Sequence, residues 1–376
     1  MYNLVAPCLF GLEKTVAYEL KKIGAEDIKI TDGRVHFKGD DIMIVKSNIC
    51  LRTAQRVLIQ LGQFKASTFE ELFQGIKSIN YSKYIKKDYK FTIAKAKSVK
   101  SKLTSIPTIQ SIAKKAMAER LKLLFDTDIL PETSNIEIPF NILIQNDIAN
   151  LYIDTSGASL HKRGYRELTV EAPIRETIAA FMVEATPWNI SRPFYDITCG
   201  SGTIPIEAAL IGLNIQAGIN REFLGEKLPF IDKKIWNTMR SHYISQEKDE
   251  DFVIKAYDKD KNAIEIAKNN AKIAGVENHI NFEVKDVKDL NIQESNGFII
   301  SNPPYGVRIG EEKEIEQLYS YMKKLFKTLD NFSYYIITSD EEIGEKIGIP
   351  FQKNRKIYNG RIKTHFYQYL APKKKI

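Results

Sequence analysis

FYDITCGSGTIPIEAALIGL, residues 194–213, is the stretch on which the fold turns. A short run of strand formers ends at Asp196, glycines follow at 200 and 202, and an apolar helical run begins at Ile204. Strand, tight turn and helix in that order open a doubly wound α/β sheet, and the glycines let a ligand come close to the helix N-terminus. No Gly-Lys-Ser/Thr follows, and the third glycine of a dinucleotide fingerprint falls on Pro205, so pyrophosphate binding is the poorer reading. Downstream, strand patterns at 253–257, 280–284, 297–301 and 334–338 alternate with helical ones, as a mostly parallel sheet requires. A closing pair near 357 and 365–370 reads as antiparallel.

Two acids follow the glycine turn at telling places. Asp258 ends the second strand, where a carboxylate can accept both hydroxyls of a ribose, and Asp286 follows the third, where it can accept from an adenine amino group. Either alone is equally a cap or loop carboxylate. On successive strand ends they point to a nucleoside-bearing cofactor. The fourth strand runs into Asn302-Pro303-Pro304-Tyr305. Paired prolines stiffen the turn and leave carbonyls without competing amides. The Asn302 side-chain oxygen and the Pro303 carbonyl can then accept both hydrogens of a planar amine, turning its lone pair toward an electrophilic methyl, while Tyr305 offers a ring for a base. Read blandly, the tetrapeptide is a polar turn, but its place behind the glycine loop and two acids argues for the site.

Upstream, residues 1–65 alternate as β-α-β-β-α-β, a ferredoxin-like unit, with Asp32-Gly33 as a hairpin turn whose two residues should both take positive φ. A second α+β unit spans 66–165, and the sheet domain spans 166–376. The net charge of +8 is divided unequally: residues 1–166 carry 26 Lys and Arg against 17 Asp and Glu, whereas 167–376 carry 29 against 30. Between 77 and 122 the count is 13 to 2. The expected polyanion-facing set is Lys95, Lys97, Lys100, Lys102, Lys114, Lys115, Arg163 and Arg166. A merely solvated lysine surface is the alternative. The helix expected over 108–125 would bury Ile109, Ala113, Met117 and Leu121 and leave Lys114 and Lys115 free.

Several classes are excluded. Composition is that of a globular protein, no window has the roughly 18 apolar residues of a membrane span, and no basic leader precedes the apolar start, so a cytoplasmic location is expected. Three scattered cysteines support neither a disulfide framework nor a zinc knuckle, and no metal site is expected.

These motifs, with GLEKTVAYEL at 11–20, DTSGASLHKRGYR at 154–166, APIRETIAAFM at 172–182 and NREF at 220–223, resemble the class I S-adenosylmethionine-dependent methyltransferases with an N-terminal THUMP domain. The likeness is to bacterial enzymes that make N2-methylguanosine in large-subunit ribosomal RNA. It implies a Rossmann-like sheet with an antiparallel last strand, preceded by ferredoxin-like and THUMP domains, the THUMP unit binding RNA. The cofactor set it implies is Asp196, Thr198, Cys199, Gly200, Ser201, Gly202, Thr203, Asp258, Lys259, Asp286, Val287 and Asn302. Within it Asp196, Gly200 and Gly202 hold the methionine part, Asp258 the ribose and Asp286 the adenine. Asn302, Pro303, Pro304 and Tyr305 are implied as catalytic. The chain departs from the pattern at Ile197-Thr198, where Pro-Phe is expected. The second methyltransferase domain fused to some relatives is not expected, nor a second modification. The insert at 213–250 is expected either to wall the substrate or to lay its aromatics on the sheet, and Arg308 either to meet a phosphate or to cap its loop. The expected activity is methylation of a guanine N2 in 23S ribosomal RNA. Alternatives are tRNA guanine, DNA adenine or protein glutamine as target, or a noncatalytic RNA-binding assembly factor.

Overall fold

A computed structural model describes residues 1–166, 173–304, 312–360 and 362–372. In the N-terminal half, β1 (Tyr2–Pro7), α1 (Glu13–Lys22), β2 (Glu26–Thr31), β3 (Arg34–Gly39), α2 (Asp41–Cys50) and β4 (Leu58–Lys65) follow the expected order. Gly24, at φ +86°, ends α1. The β2–β3 turn departs from expectation: only Gly33 has positive φ, at +71°. The double left-handed turn occurs instead at Asn146 and Asp147, φ +52° and +62°, because their short side chains tolerate that region.

Next come α3 (Phe69–Lys77), β5 (Lys90–Val99), α4 (Ile106–Leu124), β6 (Glu137–Gln145) and β7 (Ile148–Asp154). Strand β4 pairs with β7 from Leu58↔Asp154 to Lys65↔Ile148, so both N-terminal units share one seven-stranded sheet, ordered β2-β3-β1-β4-β7-β6-β5. Ile109, Ala113, Met117 and Leu121 of α4 are buried. Lys114 and Lys115 are exposed, as are Lys95 and Lys97 on the edge strand β5 and Lys100 and Lys102 just beyond it.

The C-terminal half contains α5 (Glu176–Glu184), β8 (Phe194–Asp196), α6 (Thr203–Gly212), α7 (Lys233–Ile244), β9 (Ile254–Asp258), α8 (Lys261–Ala274), β10 (Ile280–Val284), β11 (Phe298–Ser301), α9 (Glu312–Thr328), β12 (Ser333–Thr338), α10 (Ile343–Ile347), β13 (Lys353–Asn359) and β14 (Ile362–Tyr369). Its sheet is ordered β10-β9-β8-β11-β12-β14-β13. Pairing is parallel from β10 to β12, and β14 is antiparallel to both β12 and β13. The strand order reverses at β8, between β9 and β11, which opens a crevice at the strand C-termini. Helix α6 is buried from Thr203 to Leu210 and apolar on every side except at Thr203 and Glu207, as a helix sealed on every side must largely be.

The insert packs against the N-terminal half. Phe223 and Trp236 stack 5.2 Å apart, both buried, and Phe230 meets Tyr84 of the N-terminal half edge-on at 5.1 Å. The Gly218 amide donates to the Ile49 carbonyl (2.8 Å) and the Gly225 amide to that of Thr155 (2.7 Å). Arg221 donates to the carbonyls of Ala158, Ser159 and Lys162. The insert is a bracket holding the two halves together.

Burial beside α5 and α6 overturns two expectations. Arg163 is buried: it pairs with Glu207 of α6 at 3.2 Å and donates to the Leu160 and Arg52 carbonyls, leaving nothing for a polyanion. Arg166 turns inward too, donating to the Ile174 carbonyl (2.8 Å) and Thr203 Oγ1 (2.6 Å) beside Glu176. A basic sequence neighbourhood does not reveal that a buried helix will bring a glutamate to meet it.

Candidate active site

The crevice holds a cavity of about 940 Å3. Its floor is the loop after β8. Gly200 and Gly202 take φ +53° and +80°, and a Cβ on Gly202 would sit 3.0 Å from Ala267 Cβ and 3.1 Å from the Phe282 ring. Glycine is therefore needed at 202 for both its conformation and its packing. The Cys199 amide donates to the Tyr257 carbonyl (2.9 Å) and the Gly200 amide to Asp258 Oδ2 (2.8 Å), stitching the loop to the end of β9.

Asp196 lies beneath this loop. Its Oδ1 accepts from Ser301 Oγ (2.5 Å) and from the Thr198 amide (3.3 Å). Among the described residues, its buried Oδ2 has no partner. Burial pushes the carboxyl up to about 7, against the pull of those two donors. Ser301 also lies 2.8 Å from Thr198 Oγ1 and directly precedes Asn302, tying the loop to the start of the tetrapeptide. Sequence reading missed it; the sole signal was a hydroxyl at the end of an apolar strand.

Asp258 and Asp286 line the same cavity. Burial raises the Asp258 carboxyl, while the Asp260 and Gly200 amides favour its charged form. Asp286 caps a short turn through the Lys288 amide (3.1 Å), and Val287 beside it is buried. Exposed Lys259 reaches across the mouth to Glu314 of α9 (3.0 Å). Leu318 and Tyr321 of α9 and Ile362 of β14, none of them foreseen, complete the wall.

Asn302, Pro303 and Pro304 line the cavity with these acids, while Tyr305 and Arg308 lie outside the described residues. Ser201 and Thr203 line it as buried hydroxyls; Thr203 is held by Arg166. Cys199 is buried, and that burial pushes its thiol well above the usual range. The donor set fits a nucleoside joined to an amino acid: an unpaired buried carboxylate oxygen for an ammonium, a second carboxylate for a diol, and apolar Val287 against a flat base. No helix among the described residues is long and apolar enough to cross a membrane, and no three described His, Cys, Asp or Glu residues cluster as metal ligands would.

Family models match for an RlmL ferredoxin-like domain at residues 3–58, a THUMP domain at 66–154 and an RMKL-like, methyltransferase domain at 163–368. YpsC of Bacillus subtilis (strain 168), provisionally named an RNA methyltransferase, is 44% identical over 98% of this chain and 96% of its own. Ribosomal RNA large subunit methyltransferase K/L of Psychromonas ingrahamii is 32% identical over the whole chain, which spans 51% of that protein. The crystal structure of SMU.472, a provisionally assigned methyltransferase complexed with SAH, is 41% identical, superposes with a TM-score of 0.93 and covers 100% of this chain and 99% of its own. The chain thus belongs to the family of RMKL-like methyltransferases, with ferredoxin-like and THUMP domains ahead of the catalytic sheet.

Proposed function

We propose that this S-adenosylmethionine-dependent RNA methyltransferase modifies the exocyclic N2 amine of a guanine in large-subunit ribosomal RNA. The observation that carries the reading is the shared cavity: Asn302, Pro303 and Pro304 stand in it with Asp196, Gly200, Asp258 and Asp286. When bound, the cofactor supplies an electrophilic methyl group on a sulfonium.

The chain's own contribution is positioning. Asp196 offers its unpaired oxygen to an ammonium, Asp258 accepts from a ribose, and Asp286 with Val287 receives the base. Asn302 and the Pro303 carbonyl accept the hydrogens of the target amine and aim its lone pair. Orientation and fixed dipoles of this kind supply most of the acceleration such transfers need. A base reaches the cavity only after leaving its stack, at about a few kcal/mol. Exposed Lys95, Lys97, Lys100, Lys102, Lys114 and Lys115 on the THUMP unit offset that cost by binding flanking phosphates.

Nucleoside mass spectrometry of ribosomal RNA, transfer RNA and DNA from a deletion strain tests the reading. Loss of N2-methylguanosine from large-subunit RNA alone is expected. Loss from transfer RNA corrects the substrate, loss of N6-methyladenine from DNA corrects the base, and an unchanged nucleoside profile overturns the reading.

A further inference from the structure

We infer that the edge strand β13 and the β1–α1 loop together form a docking track for the backbone of the RNA strand that delivers the target base. The inference rests on the RNA substrate proposed above and concerns the edge of the C-terminal sheet, whereas Lys95 and Lys97 lie on the edge of the N-terminal one.

Residues 353–363 hold five Lys and Arg and no Asp or Glu, within a C-terminal half whose overall charge is slightly negative. Lys363 is paired with Glu341. Lys353, Arg355 and Lys356 are exposed and pair with no carboxylate among the described residues. They lie on an outer strand, since β13 pairs with β14 alone. Because β13 is antiparallel to β14, it runs with the parallel strands and ends at the crevice. There Asn359 pairs with Ile362, a residue of the cavity wall. The three cations sit three to six residues upstream, roughly 10–20 Å from that rim at about 3.3 Å per residue.

Two rings accompany them. Lys356 Nζ lies 5.4 Å from the centroid of Tyr358, which is 36% exposed. The β1–α1 loop touches the same strand: a Cβ on Gly11 would sit 3.0 Å from the Lys356 carbonyl oxygen, and neighbouring Phe10 is 57% exposed. Arg355 is on the other face of the strand from Lys356, its guanidinium 5.8 Å from the centroid of the buried Phe181 ring. Cations without carboxylate partners along this edge, beside the exposed rings, make a surface on which phosphates are neutralised and unstacked bases rest, as a strand with one base extruded requires. Lysines alone on an edge strand also guard against edge-to-edge pairing. That role gives no reason to expose Phe10 and Tyr358 beside them.

The test uses the full chain and an unmodified transcript of large-subunit ribosomal RNA, with affinity measured between about 50 and 200 mM salt. Combined Lys353→Gln, Arg355→Gln and Lys356→Gln should weaken binding at least about tenfold and flatten the log–log salt slope by about two. Cofactor affinity and unfolding temperature should match wild type. Lys356→Gln alone should lower the slope by about one, and Tyr358→Ala should lower affinity at an unchanged slope, since the ring carries no charge. Wild-type affinity and slope in the triple variant, with or without aggregation on gel filtration, overturn the track and leave the RNA reading standing. Failure of the wild-type protein to bind the transcript overturns both.

Discussion

Asp196 shows how one residue's surroundings set its use. Its carboxyl is held up near 7 by burial, so it is largely protonated in mildly acidic solution when nothing positive stands beside it. A carboxyl raised in the folded state favours folding below its unfolded value near 3.8, and that contribution is lost as pH climbs through about 7. An incoming ammonium selects the ionised form and reverses the preference. Cofactor affinity should therefore rise with pH between 5.5 and 7, approaching about tenfold per unit at the acid end. In Asp196→Asn, isothermal titration should show a flat profile and weaker binding at pH 8. Asn302 acts instead on the transferred group's acceptor. Asn302→Ala should reduce kcat by about 10²- to 10³-fold, the usual cost of one lost preorganised polar contact, with a much smaller change in cofactor affinity. Single-turnover methylation with saturating cofactor separates the two effects.

At the scale of elements, the segment between the halves carries energy that its sequence hides. Arg163 and Glu207 are both buried, and Tyr165 donates to the same carboxylate at 3.0 Å. Arg163→Ala leaves a buried charge without its partner and should cost about 3–5 kcal/mol in denaturant unfolding. Replacing both members, as Arg163→Met with Glu207→Leu, should cost much less, because no unpaired charge remains. Legibility follows the same physics. Strands, the glycine turn, the acids and Asn302 could be read from the chain because each depends on local periodicity or on which strand end a residue occupies. Burial of Arg163, the hydroxyl link from Ser301 to Asp196, the α9 wall and the bracket made by Trp236 and Phe230 depend on residues tens of positions away. Nothing in a local window encodes those partners. The sheet shared by the two N-terminal units was hidden likewise, since β4 gives no local sign that its free edge will be covered by β7.

Across the whole molecule, the two halves meet over groups that are neither purely apolar nor fully paired. Glu19 of α1 is buried and accepts from the Arg52 and Thr53 amides and the Thr53 hydroxyl. Its carboxyl neighbour across the junction is Glu184 of α5, whose Oε2 is buried without a hydrogen-bond partner among the described residues. Two carboxyls buried side by side disfavour both being ionised at once. Burial first, and then their mutual repulsion, raises Glu19 well above the usual carboxylate range, and burial raises Glu184, with Arg52 and Lys22 opposing and Glu207 adding to it. Because both shifts are upward, the contact favours the docked halves most below the unfolded carboxylate value near 4.5 and loses that contribution as pH rises through the raised folded values. An amide supplies the missing donor without a proton from solvent. Glu184→Gln should therefore raise the unfolding temperature at pH 8 by about 1–3 °C and change it little at pH 5. Scanning calorimetry at the two pH values measures the difference, and an equal shift at both would mean that the pair docks the halves without taking up a proton.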